Sequence, residues 1–131
     1  MAGGPSGPKG GSELMKNSDF TTRLGFALHG IRSAWRHERS LRSQTYIALA
    51  LVPLMLWLQP QPLWWAVVGI MVVLVLAAEL FNTALEQLAD HLHPEQHPAI
   101  GLVKDCAAGA VLLLSLGALW AAAWMVIDTL F

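Results

Sequence analysis

The sequence predicts an all-α integral-membrane protein: an N-terminal amphipathic surface helix followed by three transmembrane helices. Three observations carry that expectation. Of the 131 residues, 55% are hydrophobic and only 13% charged, about half the charge of a soluble domain. Three apolar runs are separated by short polar or proline-containing segments. An arginine-rich stretch with apolar residues at three- and four-residue steps precedes the first run. The length suits one compact domain. A net charge of −1 gives no basis for binding nucleic acid. The single cysteine, Cys106, excludes an internal disulfide and a thiolate zinc centre.

The first 14 residues, MAGGPSGPKGGSEL, are rich in Gly and Pro and lack periodicity. Residues 1–19 are expected to form a disordered tail, with Met15 a second candidate start. Residues 20–131 form the membrane domain. Over 20–42, Phe20, Leu24, Ala27, Leu28, Ile31 and Trp35 define one face. Arg23, Arg32, Arg36, Arg39 and Arg42 lie mostly on the others. Such a helix suits a membrane surface.

The first span is expected over about 43–58. Pro53 should bend it, which a membrane helix tolerates where neighbours re-satisfy the backbone. The second, over 63–90, and the third, over 101–127, each hold the roughly 20 apolar residues a bilayer requires. Gln59–Pro62, QPQP, is a tight turn between the first two. All eight Lys and Arg precede the first span or, as Lys104, sit between the second and third. The positive-inside rule therefore places the N-terminus and residues 82–105 in the cytoplasm. Trp57, Trp64 and Trp65 cluster at the opposite membrane face, and Gly109, Ser115 and Gly117 allow close helix contact. No apolar N-terminal signal region is present, so the first span is not expected to be a cleaved leader.

The second span turns polar at its end. In AELFNTALEQLAD, Glu79 is followed by Asn82, Thr83, Glu86 and Asp90 at steps of 3, 4, 7 and 11. At about 100° per residue they share one helix face. An ionised carboxylate inside an apolar run costs about 2–3 kcal/mol even on gentle insertion scales, which marks Glu79 as a functional candidate. A buried carboxylate here could take a proton from a hydroxyl, and Glu86, nearer water, could hold a divalent cation with other oxygen ligands. The bland alternative is a polar face packed against other polar helices. Glu38 could join the site or merely pair with Arg42 one turn on. Lys104, opening the third span beside Asp105, could snorkel or hold phosphate. His91, His93 and His97 give HxHxxxH, a pattern that can bind a transition metal, although Pro94 and Pro98 interrupt it. No phosphate-cradling glycine loop and no soluble-kinase motif is present.

AELFNTALEQLAD, followed about a dozen residues later by KDCAAGAVLL, resembles the prokaryotic diacylglycerol kinase family, which includes the undecaprenol kinases of Gram-positive bacteria. The pattern ExxNxAxExxxD then KD is matched at every fixed position, GIRSAWRHE matches the surface-helix motif, and the likeness covers residues 20–127. The resemblance implies a homotrimeric lipid kinase of the bacterial cytoplasmic (inner) membrane. It would transfer the γ-phosphate of MgATP to a membrane lipid alcohol, giving phosphatidic acid from diacylglycerol or undecaprenyl phosphate from undecaprenol. It implies Glu79 as general base and Glu38 and Glu86 as the carboxylates holding Mg2+. Asn82 and Asp90 would support the site. Lys104, Asp105, Glu95, Gln96 and His97 would contact the nucleotide, and Phe26 stands where the enteric enzymes have Tyr. Asp19 replaces an Arg of those enzymes. Gln44 replaces a Glu typical of the diacylglycerol branch, while HERS and KDCAAGAVL stand closer to the undecaprenol branch. A different class remains open: a non-enzymatic assembly protein whose carboxylates bind ions.

Overall fold

The computed structural model describes residues 19–131. The tail expected over 1–19 lies, apart from Asp19, outside the described residues. Four helices follow: α1 (Phe20–His37), α2 (Arg39–Leu58), α3 (Pro62–Leu92) and α4 (Pro98–Leu130). The described residues up to His37 belong to one unit and residues 38–131 to a second.

Helix α1 is capped by Asp19, whose Oδ1 accepts the Thr22 N–H at 2.9 Å and the Thr22 hydroxyl at 2.8 Å. These bonds satisfy a donor that the first helical turn leaves unpaired. They also hold the Asp19 carboxyl below the usual carboxylate range, the backbone bond contributing most. Asp19 is thus accounted for by a capping role. Phe20, Leu24, Leu28 and Ile31 are exposed along one stripe, the pattern of a helix that buries its apolar face in a membrane surface.

The helix break falls at Glu38, not after Arg42 as the periodicity suggested. Glu38 is extended (φ −110°, ψ 109°) and occupies the N-cap position of α2. The Arg42 N–H donates to its carbonyl. Arg39 and Arg42 therefore open the first spanning helix and do not close the surface helix. The extra residues matter for reach. The 20 residues of α2 extend about 30 Å, the thickness of the hydrocarbon core.

Pro53 lies inside α2, where it removes one intrahelical hydrogen bond. The helix ends at Gln59, which adopts the left-handed conformation (φ 51°) and donates its N–H to the Met55 carbonyl at 2.8 Å. This closure, followed by Pro60 and by Pro62 at the start of α3, makes the QPQP turn. Pro98 likewise opens α4. Proline is favoured there because its missing N–H would be unpaired anyway.

The main packing is an antiparallel α3–α4 hairpin, with α2 set against α3. A Cβ at Gly117 would come within 3.1 Å of Met71 Cε, so the end of that side chain would have to give by a few tenths of an ångström. Met55, Val68 and Met125 form a buried cluster with Leu51, Trp64 and Val72 around it. At that end Trp64 Nε1 donates to Asp128 Oδ2 at 2.8 Å. At the other end Lys104 pairs with Asp90.

Helices α2, α3 and α4 are each long and apolar enough to cross a membrane, yet only 11%, 17% and 11% of their most apolar windows are buried. Their outer faces await lipid or other protein, since soluble monomers rarely leave such surfaces bare. A span of about 20 residues counted from Leu63 ends close to Asn82. The remainder of α3, with Glu86 and Asp90, exceeds the length a bilayer requires.

Because Asp19 titrates below its unfolded value, its cap is fully present above the ordinary carboxylate range and is lost as pH falls through the lowered value. Asp19→Ala is expected to reduce amide protection at the start of α1 in hydrogen exchange at neutral pH. The unaltered chain should fray in the same way only below about pH 4.

Candidate functional site

Helix α3 delivers the acidic stripe. Glu79 is 2% exposed, although the residues around it belong to a largely uncovered span. Its Oε1 accepts a hydrogen bond from Ser40 Oγ at 2.6 Å. Ser40 comes from the first turn of α2. Thr83 serves the helix itself: its hydroxyl donates to the Glu79 carbonyl at 2.9 Å, a local back-bond.

Glu79 faces a cavity of about 330 Å³ lined by Ser40, Gln44, Asn82 and Ser115 among others. Asn82 Nδ2 donates to Glu86 Oε1 at 3.4 Å. Asn82 Oδ1 is buried with no hydrogen-bond partner. An unpaired buried carbonyl is costly, so Asn82 keeps a free acceptor on a residue that lines this cavity. A second cavity, about 270 Å³, shares Gln44 and Ser115 with the first and is otherwise walled by residues such as Leu51, Val72, Leu76 and Leu119. Gln44 Nε2 donates to Ser115 Oγ at 3.4 Å at the junction. A cavity carrying a carboxylate, two amides and two hydroxyls, next to a more apolar one, suits a molecule with a polar head and a hydrocarbon body.

A third cavity, about 510 Å³, lies in the loop between α3 and α4, lined by Asp90, His93, Glu95, Gln96, His97 and Lys104 among others. His97 Nδ1 accepts the Ala99 N–H at 3.1 Å and so caps α4. His93 Nδ1 lies 2.8 Å from the Glu95 carbonyl, and the two imidazoles meet edge to face at 5.5 Å. Among the described residues no three His, Cys, Asp or Glu side chains group as metal ligands, so HxHxxxH forms no imidazole site. The histidines shape the loop instead.

The structure thus brings Glu79 and Asn82 to one cavity and Glu95, Gln96, His97 and Lys104 to another. Asn82 and Glu86, on the helix that serves both, are hydrogen-bonded to each other. Glu38 and Glu86 are half-buried carboxylates. Neither lines the cavities described above; each is a hard oxygen donor of the type magnesium takes together with substrate phosphates. Asp105 is exposed on α4 and lines neither cavity. Phe26 is half-buried on α1. Sequence reasoning did not single out Ser40, whose pairing spans 39 positions. The only local hint was a hydroxyl two residues after Glu38.

The sequence is similar to those of known proteins. Residues 25–127 match the family model described as prokaryotic diacylglycerol kinase. A diacylglycerol kinase of Haemophilus influenzae is 31% identical over 97 residues, 72% of this chain and 82% of that protein. One from Escherichia coli K12 is 29% identical over 104 residues, 76% of this chain and 85% of that protein. One from Synechocystis is 34% identical over 94 residues, 71% of this chain but 54% of that protein.

The side chains of Lys104 and Asp90 are 37% and 62% exposed, and exposed ion pairs contribute little to stability. Asp90→Asn is therefore expected to leave the thermal unfolding midpoint in detergent unchanged within error.

Proposed function

The chain belongs to the prokaryotic diacylglycerol kinase family, and from that premise we propose that it transfers the γ-phosphate of MgATP to the hydroxyl of diacylglycerol, giving phosphatidic acid. The observation that carries this reading is the buried Glu79 carboxylate, which lines a cavity that shares Gln44 and Ser115 with a more apolar one. A lipid alcohol would lay its hydrocarbon along Leu51, Val72 and Leu119 and present its hydroxyl to Glu79 without leaving the bilayer. Glu79 accepts the hydroxyl proton. The lipid oxygen forms a bond to the γ-phosphorus as the bond to the ADP oxygen breaks.

Such a transfer depends on positioning and charge neutralisation more than on covalent machinery, which suits a small chain without soluble-kinase motifs. Lys104, with Glu95, Gln96 and His97 around the loop cavity, would hold the nucleotide, and Asp105 and Phe26 would add contacts to it. Glu38 and Glu86 would hold Mg2+, which when bound offsets the negative charge of the phosphates. Asn82 and Asp90 support the site: Asn82 bonds Glu86, and Asp90 holds Lys104. The protein would sit in the bacterial cytoplasmic membrane with its N-terminus and loop cavity on the ATP side. A homotrimer would cover part of the apolar surface that one subunit leaves open. Gln44, at the junction of the two cavities in place of a Glu typical of the diacylglycerol branch, makes undecaprenol the second acceptor to test.

Purified protein in mixed micelles, given labelled ATP with diacylglycerol, undecaprenol and ceramide in parallel, should place label in phosphatidic acid. Glu79→Ala should lower the rate by about 10²–10⁴-fold without altering assembly. Label in undecaprenyl phosphate alone would reassign the acceptor. No lipid-dependent ATP use would indicate an ion-binding assembly protein instead. Glu86→Gln should raise the Mg2+ concentration needed for ATP binding; an unchanged dependence would remove Glu86 from the metal site.

A further inference from the structure

A carboxylate turns readily about its last bond, so a base on an open helix face presents neither oxygen reliably. Glu79 does not have that freedom. Its Oε1 accepts the Ser40 hydroxyl at 2.6 Å, and at 2% exposure the side chain has almost no water to exchange for that partner. Ser40 and Glu79 come from α2 and α3, and both line the same cavity with Asn82. With Oε1 engaged, Oε2 is left to meet a ligand. The hydroxyl stands in the first turn of α2, two residues after Glu38, so one short piece of backbone carries a proposed metal ligand and the partner of the proposed base.

From this geometry we infer that Ser40 is a positioning residue for phosphate transfer: its hydroxyl fixes the Glu79 carboxylate so that one chosen oxygen faces the lipid alcohol. The inference rests on reading Glu79 as the base. Ser40 touches neither nucleotide nor lipid in this role. Its loss therefore slows the chemical step and leaves binding alone.

The test compares steady-state kinetics of full-length variants in mixed micelles, with diacylglycerol and undecaprenol as alternative acceptors. Ser40→Ala is expected to lower kcat by about 10- to 100-fold, the scale of a misplaced reacting group. The KM values for MgATP and for lipid should stay within about twofold, as expected when an interaction acts on the transition state. Ser40→Thr keeps a hydroxyl on the same carbon and should recover most of kcat. Ser40→Val has the shape of Thr without the hydroxyl and should remain as slow as Ser40→Ala. Wild-type kcat in Ser40→Ala, equal rates in the Thr and Val variants, or a raised KM at unchanged kcat would each overturn the assignment. Glu79→Ala, measured alongside, separates the two failures. An active Glu79→Ala removes the base itself, whereas an inactive Glu79→Ala with a fully active Ser40→Ala removes only the role of Ser40.

Discussion

Keeping a carboxylate away from water inside an apolar helix is the constraint on which the rest of this structure depends. On insertion scales a charged side chain at the centre of a span costs about 3 kcal/mol, and less toward the edge. Two features of the fold reduce that cost for Glu79. Helix α3 has 31 residues, more than a bilayer needs, so a span of about 20 residues counted from Leu63 has Glu79 in its last turn and Glu86 and Asp90 after it. Helix α2 begins at Arg39, early enough to bring the Ser40 hydroxyl against the carboxylate. A start after Arg42 would leave that oxygen without its donor. The departure from helical geometry at Glu38 and the hydrogen bond at Ser40 are thus connected.

The α3–α4 hairpin is fastened at both ends. Trp64 holds Asp128 beside the QPQP turn, and Asp90 holds Lys104 beside the other loop. Between them, Gly117 lets the α4 backbone lie close to Met71. These two polar contacts lie at opposite ends of helices that otherwise pack by apolar contact, which is not directional. Across the bundle, Ser115 of α4 meets Gln44 of α2, and both line the two cavities.

On the proposed reading, the division of cavities corresponds to a division of substrates. Nucleotide and metal are polar and arrive from water, where the loop between α3 and α4 offers a lysine, a glutamate, an amide and an imidazole. The lipid arrives sideways through the membrane, and only its hydroxyl must reach a polar group. Helix α3 serves both, since its exposed end carries Glu86 and Asp90 and its buried part carries Glu79. One continuous helix can thus span the distance between a soluble substrate and a membrane-bound one.

Much of this was legible in the chain itself. Hydropathy alone marks three spans, because burial in lipid demands apolar composition over a fixed length. The stripe from Glu79 to Asp90 is equally plain, because helical periodicity operates within a few turns of one element. What only the tertiary structure decided are the contacts between elements. Ser40 meets Glu79 across 39 positions, Trp64 meets Asp128 across 64, and Gln44 meets Ser115 across 71. These depend on how each helix is rotated and shifted against the next, which packing of the whole hairpin determines and no local pattern encodes. The end of the surface helix belongs with them: periodicity continues through Arg42, but the helix is interrupted at Glu38, where α2 begins.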